Sequence, residues 1–183
     1  MKTLNEINNM NKKLLIIHHS SVSRETQPAQ FYAINRYHRE KWGMKSSLGY
    51  YHGYTHYMGT NGVITQTRSL DEEGIHTKGH NKSGNIGICL AGNFSMELPN
   101  DKQIESLKKF IADNINYEIM FHNELGTTTC PGTLFTRDYL DKVVLGKKPK
   151  LLKADKEKQE LITRYNSLLS RLKELLLSFM NRV

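Results

Sequence analysis

Residues 14–17 read Leu-Leu-Ile-Ile and stop at His18-His19-Ser20. An apolar run this short, closed by polar residues, predicts a buried strand over 14–20. Further on, Phe31, Ile34, His38 and Trp42 recur at helical spacing. With Thr26 and Pro28 as start signals and Gly43 as a stop, they predict a helix over 26–43. Residues 53–68 hold two runs rich in Tyr, Thr, Val and Ile around Asn61-Gly62, which predicts a hairpin. A polar, glycine-rich loop is expected over 72–84, and a short central strand over 85–92. The stretch 100–116 has Asn100 or Asp101 as a cap and places Ile104, Leu107, Phe110 or Ile111, and Ile115 on one face of a helix. A strand over 118–122 and a helix over 133–146, closed by Gly146, complete the series. Strands and helices alternate, so the predicted fold is α/β, a central mixed β-sheet flanked by helices.

After Gly146 the pattern changes. Lys-Lys-Pro-Lys breaks the chain, and then Leu161, Leu168 and Leu175 recur every seven residues, with Tyr165, Leu172 and Phe179 four after each. That is a three-heptad seam and predicts a C-terminal amphipathic helical appendage. The chain therefore divides into a domain over 1–146 and a basic linker with a heptad helix over 147–183. Charge follows the same boundary. Residues 147–183 carry ten Lys/Arg against four Asp/Glu, and the rest sixteen against fourteen. Such a tail is drawn to polyanions, and its seam needs a cover. Docking on the domain, self-association into a homo-oligomer and contact with an anionic envelope or membrane are the three expectations, with targeting or assembly as its role.

Composition narrows the class. The fractions are those of a globular protein, and 183 residues suffice for a real core. Two cysteines, Cys89 and Cys130, make no disulfide framework. The N-terminal apolar run is too short for a signal-peptide core or a membrane span, so cytoplasmic synthesis without a signal peptide is expected. No nucleic-acid fold motif is present, and nucleic acid is not expected as a partner.

The candidate chemistry lies in "FHNELGTTTCPG", residues 121–132, where His122 and Cys130 stand eight positions apart before a Pro-Gly break. An imidazole and a thiolate brought together by a turn are half of a zinc site. Hydrolytic zinc sites take three protein ligands and leave a fourth position open. The third ligand is expected from "IIHHS", and because adjacent strand residues point to opposite faces, only one of His18 and His19 can reach the metal.

Four motifs in order, "IIHHS", "GYTHYMGTNGVITQTR", "HTKGHNKSGNIGICLAGNF" and "HNELGTTTCPG", resemble the zinc-dependent N-acetylmuramoyl-L-alanine amidases, a superfamily that includes phage amidase endolysins and the peptidoglycan recognition proteins. The resemblance covers about residues 12–145. It implies a Zn2+ cofactor held by His18, His122 and Cys130, with His19 turned into structure. It also implies a catalytic Tyr54 after Gly53, and Thr128 as a neutral hydrogen-bond donor to an oxyanion where some phage enzymes have lysine. Some intracellular members place a glutamate base where this chain has Cys89, read here as a small buried hydrophobe. Bacterial peptidoglycan is the implied partner.

In the loop, His76 and His80 are expected to wall the substrate cleft rather than bind metal, and Asn81 and Asn85 to contact sugar or peptide or else cap turns. His38 and His52 are expected to be structural, and His56 is a candidate for the cleft by strand alternation. Glu124 is either support for a ligand or a solvated acid. The leading expectation is an endolysin that cuts between N-acetylmuramic acid and L-alanine and reaches the wall after release by a separate permeabilising protein. A wall-recycling amidase, a peptidoglycan-binding protein without turnover and a nucleic-acid- or polymerase-binding regulator are the rivals.

Overall fold

The computed structural model describes residues 13–24, 29–147 and 153–180, the side chains of the last segment over 160–174. Two compact units divide at Lys147/Lys148. In the first, β1 (Leu14–His19), β2 (His56–Met58), β3 (Ile64–Gln66), β4 (Ile86–Leu90) and β5 (Glu118–Phe121) form one sheet in the order β3-β2-β4-β1-β5. Only β2 and β3 pair antiparallel; β1 lies parallel to both β4 and β5, and β2 parallel to β4. The sheet is mixed and helices cover it, as the alternation of elements predicts.

Register sorts the side chains. Ile17 pairs with Ile88 and with Phe121, and these point to one face. There they join Leu15, Leu90 and Met58 in the main core, closed by α2 (Asp101–Asp113) through Ile104, Leu107 and Ile111. Burying an aliphatic or aromatic side chain of this size contributes about 1.5–3 kcal/mol, so this layer dominates the unit's stability. His18 pairs with Cys89, and Cys89 with Tyr57, on the opposite face. Phe31 and Ile34 of α1 (Ala29–Trp42) pack there beside Tyr54. The predicted start signals Thr26 and Pro28 lie outside the described residues.

Three elements differ from expectation. Helix α2 starts at the Asn100 cap, where Asn100 and Gln103 form a reciprocal capping box, but it ends at Asp113. Asn114 leaves helical geometry (φ −120°, ψ 38°), so Ile115 falls out of register and is 82% exposed. The hairpin has three-residue strands, with Gly59 N–H donating to Val63 O across the turn. The expected helix over 133–146 begins only at Thr136, whose side chain caps a single turn, Arg137–Tyr139, that widens into a π-helical segment, Leu140–Val144. The delay has a cause: Leu134 N–H is tied to Phe94 O, and Gly132 (φ +118°) runs against the Phe94 backbone, where any Cβ would collide.

The described residues of the second unit form one helix, α3 (Lys153–Met180). Leu175 and Phe179, the last positions of the expected seam, have side chains outside the described residues.

Acid should weaken this fold. Burial holds His19, His38, His52 and His56 at about 4, below the ordinary 6.5; Lys41 and then Arg68 add to the effect at His38, and His38 at His52. Unfolded imidazoles bind protons first as pH falls, so their contribution is complete above about 6.5 and is lost towards about 4. Melting temperatures of the metal-free protein should drop steadily from pH 7.5 to 5 on the scale set by these shifts; a flat profile would show that the buried rings do not couple to folding.

Candidate active site

The site forms where β1 and β5 end. β1 has parallel neighbours on both sides, the position at which open α/β sheets bind ligands beyond the carboxyl ends of their strands. Phe121 pairs with Ile17, so His122, the next residue, comes level with His18 on the non-core face. Their ring centroids are 4.5 Å apart. After His122 the chain makes a tight turn, His122–Glu124, and returns so that Asn123 N–H donates to Cys130 O at 2.9 Å. The loop thus carries Cys130 back to His18, with Sγ 3.7 Å from His18 Nδ1. Ligand atoms of His18, His122 and Cys130 all lie within 4.8 Å of one another.

Register also separates the two adjacent histidines. His19 faces the core side, where its Nδ1 accepts the Phe94 N–H at 3.0 Å. Its backbone N–H donates to Cys130 Sγ.

Glu124 supports this corner. Its carboxylate accepts the Phe121 N–H at 2.7 Å and forms a bidentate pair with Arg137, whose guanidinium also reaches Ile119 O and lies over the Phe121 ring. The acid therefore fixes the turn that presents His122 rather than touching the ring.

His18 is bonded on its other nitrogen as well. Nε2 lies 3.1 Å from His76 Nδ1 and 3.2 Å from Thr77 Oγ1, and Thr77 Oγ1 is 2.9 Å from His76 Nδ1. A proton on His18 Nε2 has two acceptors there, leaving the Nδ1 lone pair towards Cys130. The His76 ring lies over Gly87 of β4, where a Cβ would collide with it. Asn81 Oδ1 accepts the backbone N–H groups of both His76 and Thr77. Asn85 accepts Leu14 N–H and donates to His80 O. Asn81 and Asn85 thus brace the loop from within.

A cleft of about 320 Å³ opens over these groups, lined by His18, Tyr54, His76, His122, Thr128 and Cys130 among others. It gathers the expected ligands, Tyr54, Thr128 and His76. His80, Asn81 and Asn85 are absent from its lining. His56 is also elsewhere: it faces α2, 5.0 Å from the Phe110 ring. His38 accepts Gly53 N–H at 2.9 Å and so sets the backbone just before Tyr54. A larger depression of about 420 Å³, between Phe31, Tyr32, Tyr50 and Val63, holds no ligand set.

Electrostatics follow from burial. His18 is held well below the ordinary range, first by desolvation and then by the neighbouring His76, His122 and His19. Desolvation lowers His76 to about 3, with His122 and Arg68 adding to it, and also lowers His122. All three rings are neutral at pH 7. Burial pushes the Cys130 thiol up to about 11 against the His19 N–H bond, and holds the Tyr54 phenol well above 10, with Cys89 and Cys130 reinforcing it. The Tyr54 hydroxyl bonds the buried Cys89 thiol.

Two neutral imidazoles and a thiol suit one tetrahedral cation. With metal–nitrogen and metal–sulfur bonds of about 2.0 and 2.3 Å, ligands sharing an ion stand about 3.5 Å apart. The observed His18 Nδ1–Cys130 Sγ separation of 3.7 Å matches that demand.

Sequence patterning names Glu124 as a candidate support but does not single out Thr77, the His19 N–H or Arg137 as parts of this site. A threonine beside a loop histidine has no periodicity to betray it, and the other two depend on the long return from Phe121 to Arg137.

Fold and site together define a mixed-sheet α/β domain with a His–His–Cys cluster at its strand ends that could hold a metal ion. Residues 8–133 match the N-acetylmuramoyl-L-alanine amidase (Amidase_2) family model, and the chain belongs to that family. It is 28% identical to peptidoglycan-recognition protein 2 of Holotrichia diomphalia, covering 69% of this chain and 70% of that one. To the human N-acetylmuramoyl-L-alanine amidase it is 26% identical over 57% of this chain, and it spans only 18% of that protein's length. Among solved structures, the amidase LysC of Clostridium intestinale is similar at 25% identity and TM-score 0.59, covering 75% of this chain and 86% of that one. The complex of recognition proteins LCa and LCx with tracheal cytotoxin is similar at 26% identity and TM-score 0.60, covering 70% and 81%.

Thr77→Val keeps the shape of Thr77 and removes the hydroxyl shared by His18 and His76. We expect zinc affinity, read by competition with a chromogenic chelator, to fall by about tenfold or more at an unchanged melting temperature. Unaltered affinity would reduce Thr77 to a packing residue.

Proposed function

We propose that this protein is a zinc-dependent amidase that hydrolyses the amide between N-acetylmuramic acid and L-alanine in bacterial peptidoglycan, serving as an endolysin. The observation that carries the reading is the meeting of His18, His122 and Cys130 with Tyr54 and Thr128 in one cleft. Family membership and the similarity to LysC support the bond cleaved. A related solved structure described as an endolysin amidase, LysCS of the same Clostridium, supports the lytic role at 25% identity.

His18, His122 and Cys130 would hold the zinc, which when bound polarises a carbonyl and makes water nucleophilic near neutral pH. The remaining chemistry belongs to the chain. Tyr54 is 5.2 Å from the His18 ring, ring centroid to ring centroid, and burial keeps its phenol protonated, so on substrate binding its one O–H turns from the Cys89 sulfur to donate to the attacking water or the scissile oxygen. Thr128 Oγ1 accepts the Cys130 N–H at 3.2 Å, which leaves its own hydrogen to donate into the cleft. Both donors are neutral, so oxyanion stabilisation here relies on direction rather than on a side-chain charge. His76 and Thr77 hold His18 in the tautomer that presents Nδ1. A recognition protein that only binds has no need of this ligand set.

Digestion of purified sacculi tests the reading. With zinc, the wild type should release new L-alanine amino termini and free muramoyl carboxyls, identified by mass spectrometry. Tyr54→Phe should lose about 10²-fold or more in rate while keeping its metal, the loss expected for one oxyanion-type donor. Sacculi that bind the protein yet show no new ends would make it a recognition protein instead.

A further inference from the structure

Helix α3 sorts its side chains by chemistry. At 3.6 residues per turn, Leu161, Ile162, Tyr165, Leu168, Leu169 and Leu172 fall within an arc of roughly 120°. Every one of them is exposed, from 37% at Leu169 to 68% at Leu161. Arg164 and Arg171, seven residues apart, follow one edge of the arc, and Lys173 the other. Glu160 and Glu174 lie farther round, with Thr163, Ser167 and Ser170. Cations border the apolar strip and acids are displaced from it.

A second copy of the helix makes a poor cover. With Leu161/Leu168 and Tyr165/Leu172 as the seam, one flank carries Arg164 and Arg171 and the other Ile162 and Leu169. A parallel pair sets arginine against Ile and Leu, with no ion pair to fix partner or register. An antiparallel pair sets arginine against arginine and leaves Ile162 and Leu169 as a second apolar stripe. No helix among the described residues is long and apolar enough to cross a membrane. A cation-bordered strip of this width suits an interface between hydrocarbon and negative headgroups. Leucines enter the acyl boundary, and the Arg and Lys stems extend along it with their charges outward.

We propose that α3 is a surface-binding helix for anionic lipid bilayers, lying in the headgroup plane through Leu161, Tyr165, Leu168 and Leu172 with Arg164, Arg171 and Lys173 on phosphate groups. Residues 147–183, with a net charge of +6, add attraction at a distance. This surface is independent of the amide chemistry, so the two readings stand or fall separately.

The test uses the full-length protein and vesicles of phosphatidylcholine with or without phosphatidylglycerol, read by co-sedimentation. Binding should occur on the anionic vesicles alone and weaken as salt rises from about 0.05 to about 0.5 M, where screening shortens to a few ångströms. Leu168→Asp with Leu172→Asp, and separately Arg164→Glu with Arg171→Glu, should each reduce binding by about tenfold or more. Their zinc content and sacculus hydrolysis should stay at wild-type level, because these side chains belong to the second unit. The proposal is overturned if anionic vesicles fail to bind the protein, or if either double variant binds like the wild type. It is equally overturned if ultracentrifugation shows an oligomer that the leucine variant dissociates while lipid binding persists.

Discussion

The parallel register of β1 against β4 and β5 is the constraint on which the site depends. It sets Ile17, Ile88 and Phe121 together in the core and His18, Cys89 and Tyr57 together on the other face. Slipping one strand by a single residue would exchange those faces, placing His19 at the cleft and His18 in the core. Several aliphatic side chains oppose such a slip, each worth about 1.5–3 kcal/mol when buried. The geometry of the candidate ligands is thus held by hydrophobic burial alone. Polar ties then aim the ligands: the Glu124–Arg137 pair at the His122 turn, the Phe94–Gly132 contact under the Cys130 loop, and the His76–Thr77 pair behind His18.

Burial also sets the charge state. Neutral imidazoles already have the lone pairs that a cation requires, so His18 and His122 need no deprotonation at pH 7. Cys130 is the opposite case, a thiol whose burial opposes ionisation. A cation bound there would have to displace its proton, and the His19 N–H offers the sulfur one bond in compensation. The same burial holds the His19, His38 and His52 imidazoles low, which is the source of the acid sensitivity expected of the fold.

Much of this was legible along the chain. The strand over 14–20 and a cap at Asn100 or Asp101 followed from apolar runs and local hydrogen-bonding chemistry, and the structure selects Asn100 and ends the strand at His19. Local rules failed where distant segments intervene: the helix after Pro131 is delayed by Phe94, and Ile115 is lost when α2 stops at Asn114. At the site, alternation restricted the choice to one of two histidines, and the family resemblance pointed to His18; the register places His18 on the cleft face. The loop polar residues were harder. His76, His80, Asn81 and Asn85 look alike as polar positions in a glycine-rich stretch, yet His76 reaches His18 while the asparagines bond backbone of the loop and of β1. Which of four polar side chains turns inward depends on where β4 supplies a glycine, and Gly87 is distant in sequence from the loop's start.

X-ray absorption at the zinc edge tests the central claim most directly, because it reads the ligands themselves. The full-length protein loaded with zinc should hold one equivalent, with a single sulfur at about 2.3 Å and the remaining nitrogen and oxygen neighbours at about 2.0 Å. A Cys130→Ser sample should lose the sulfur shell. A wild-type spectrum without sulfur, or a stoichiometry well below one, would contradict the assignment of His18, His122 and Cys130 as a metal centre.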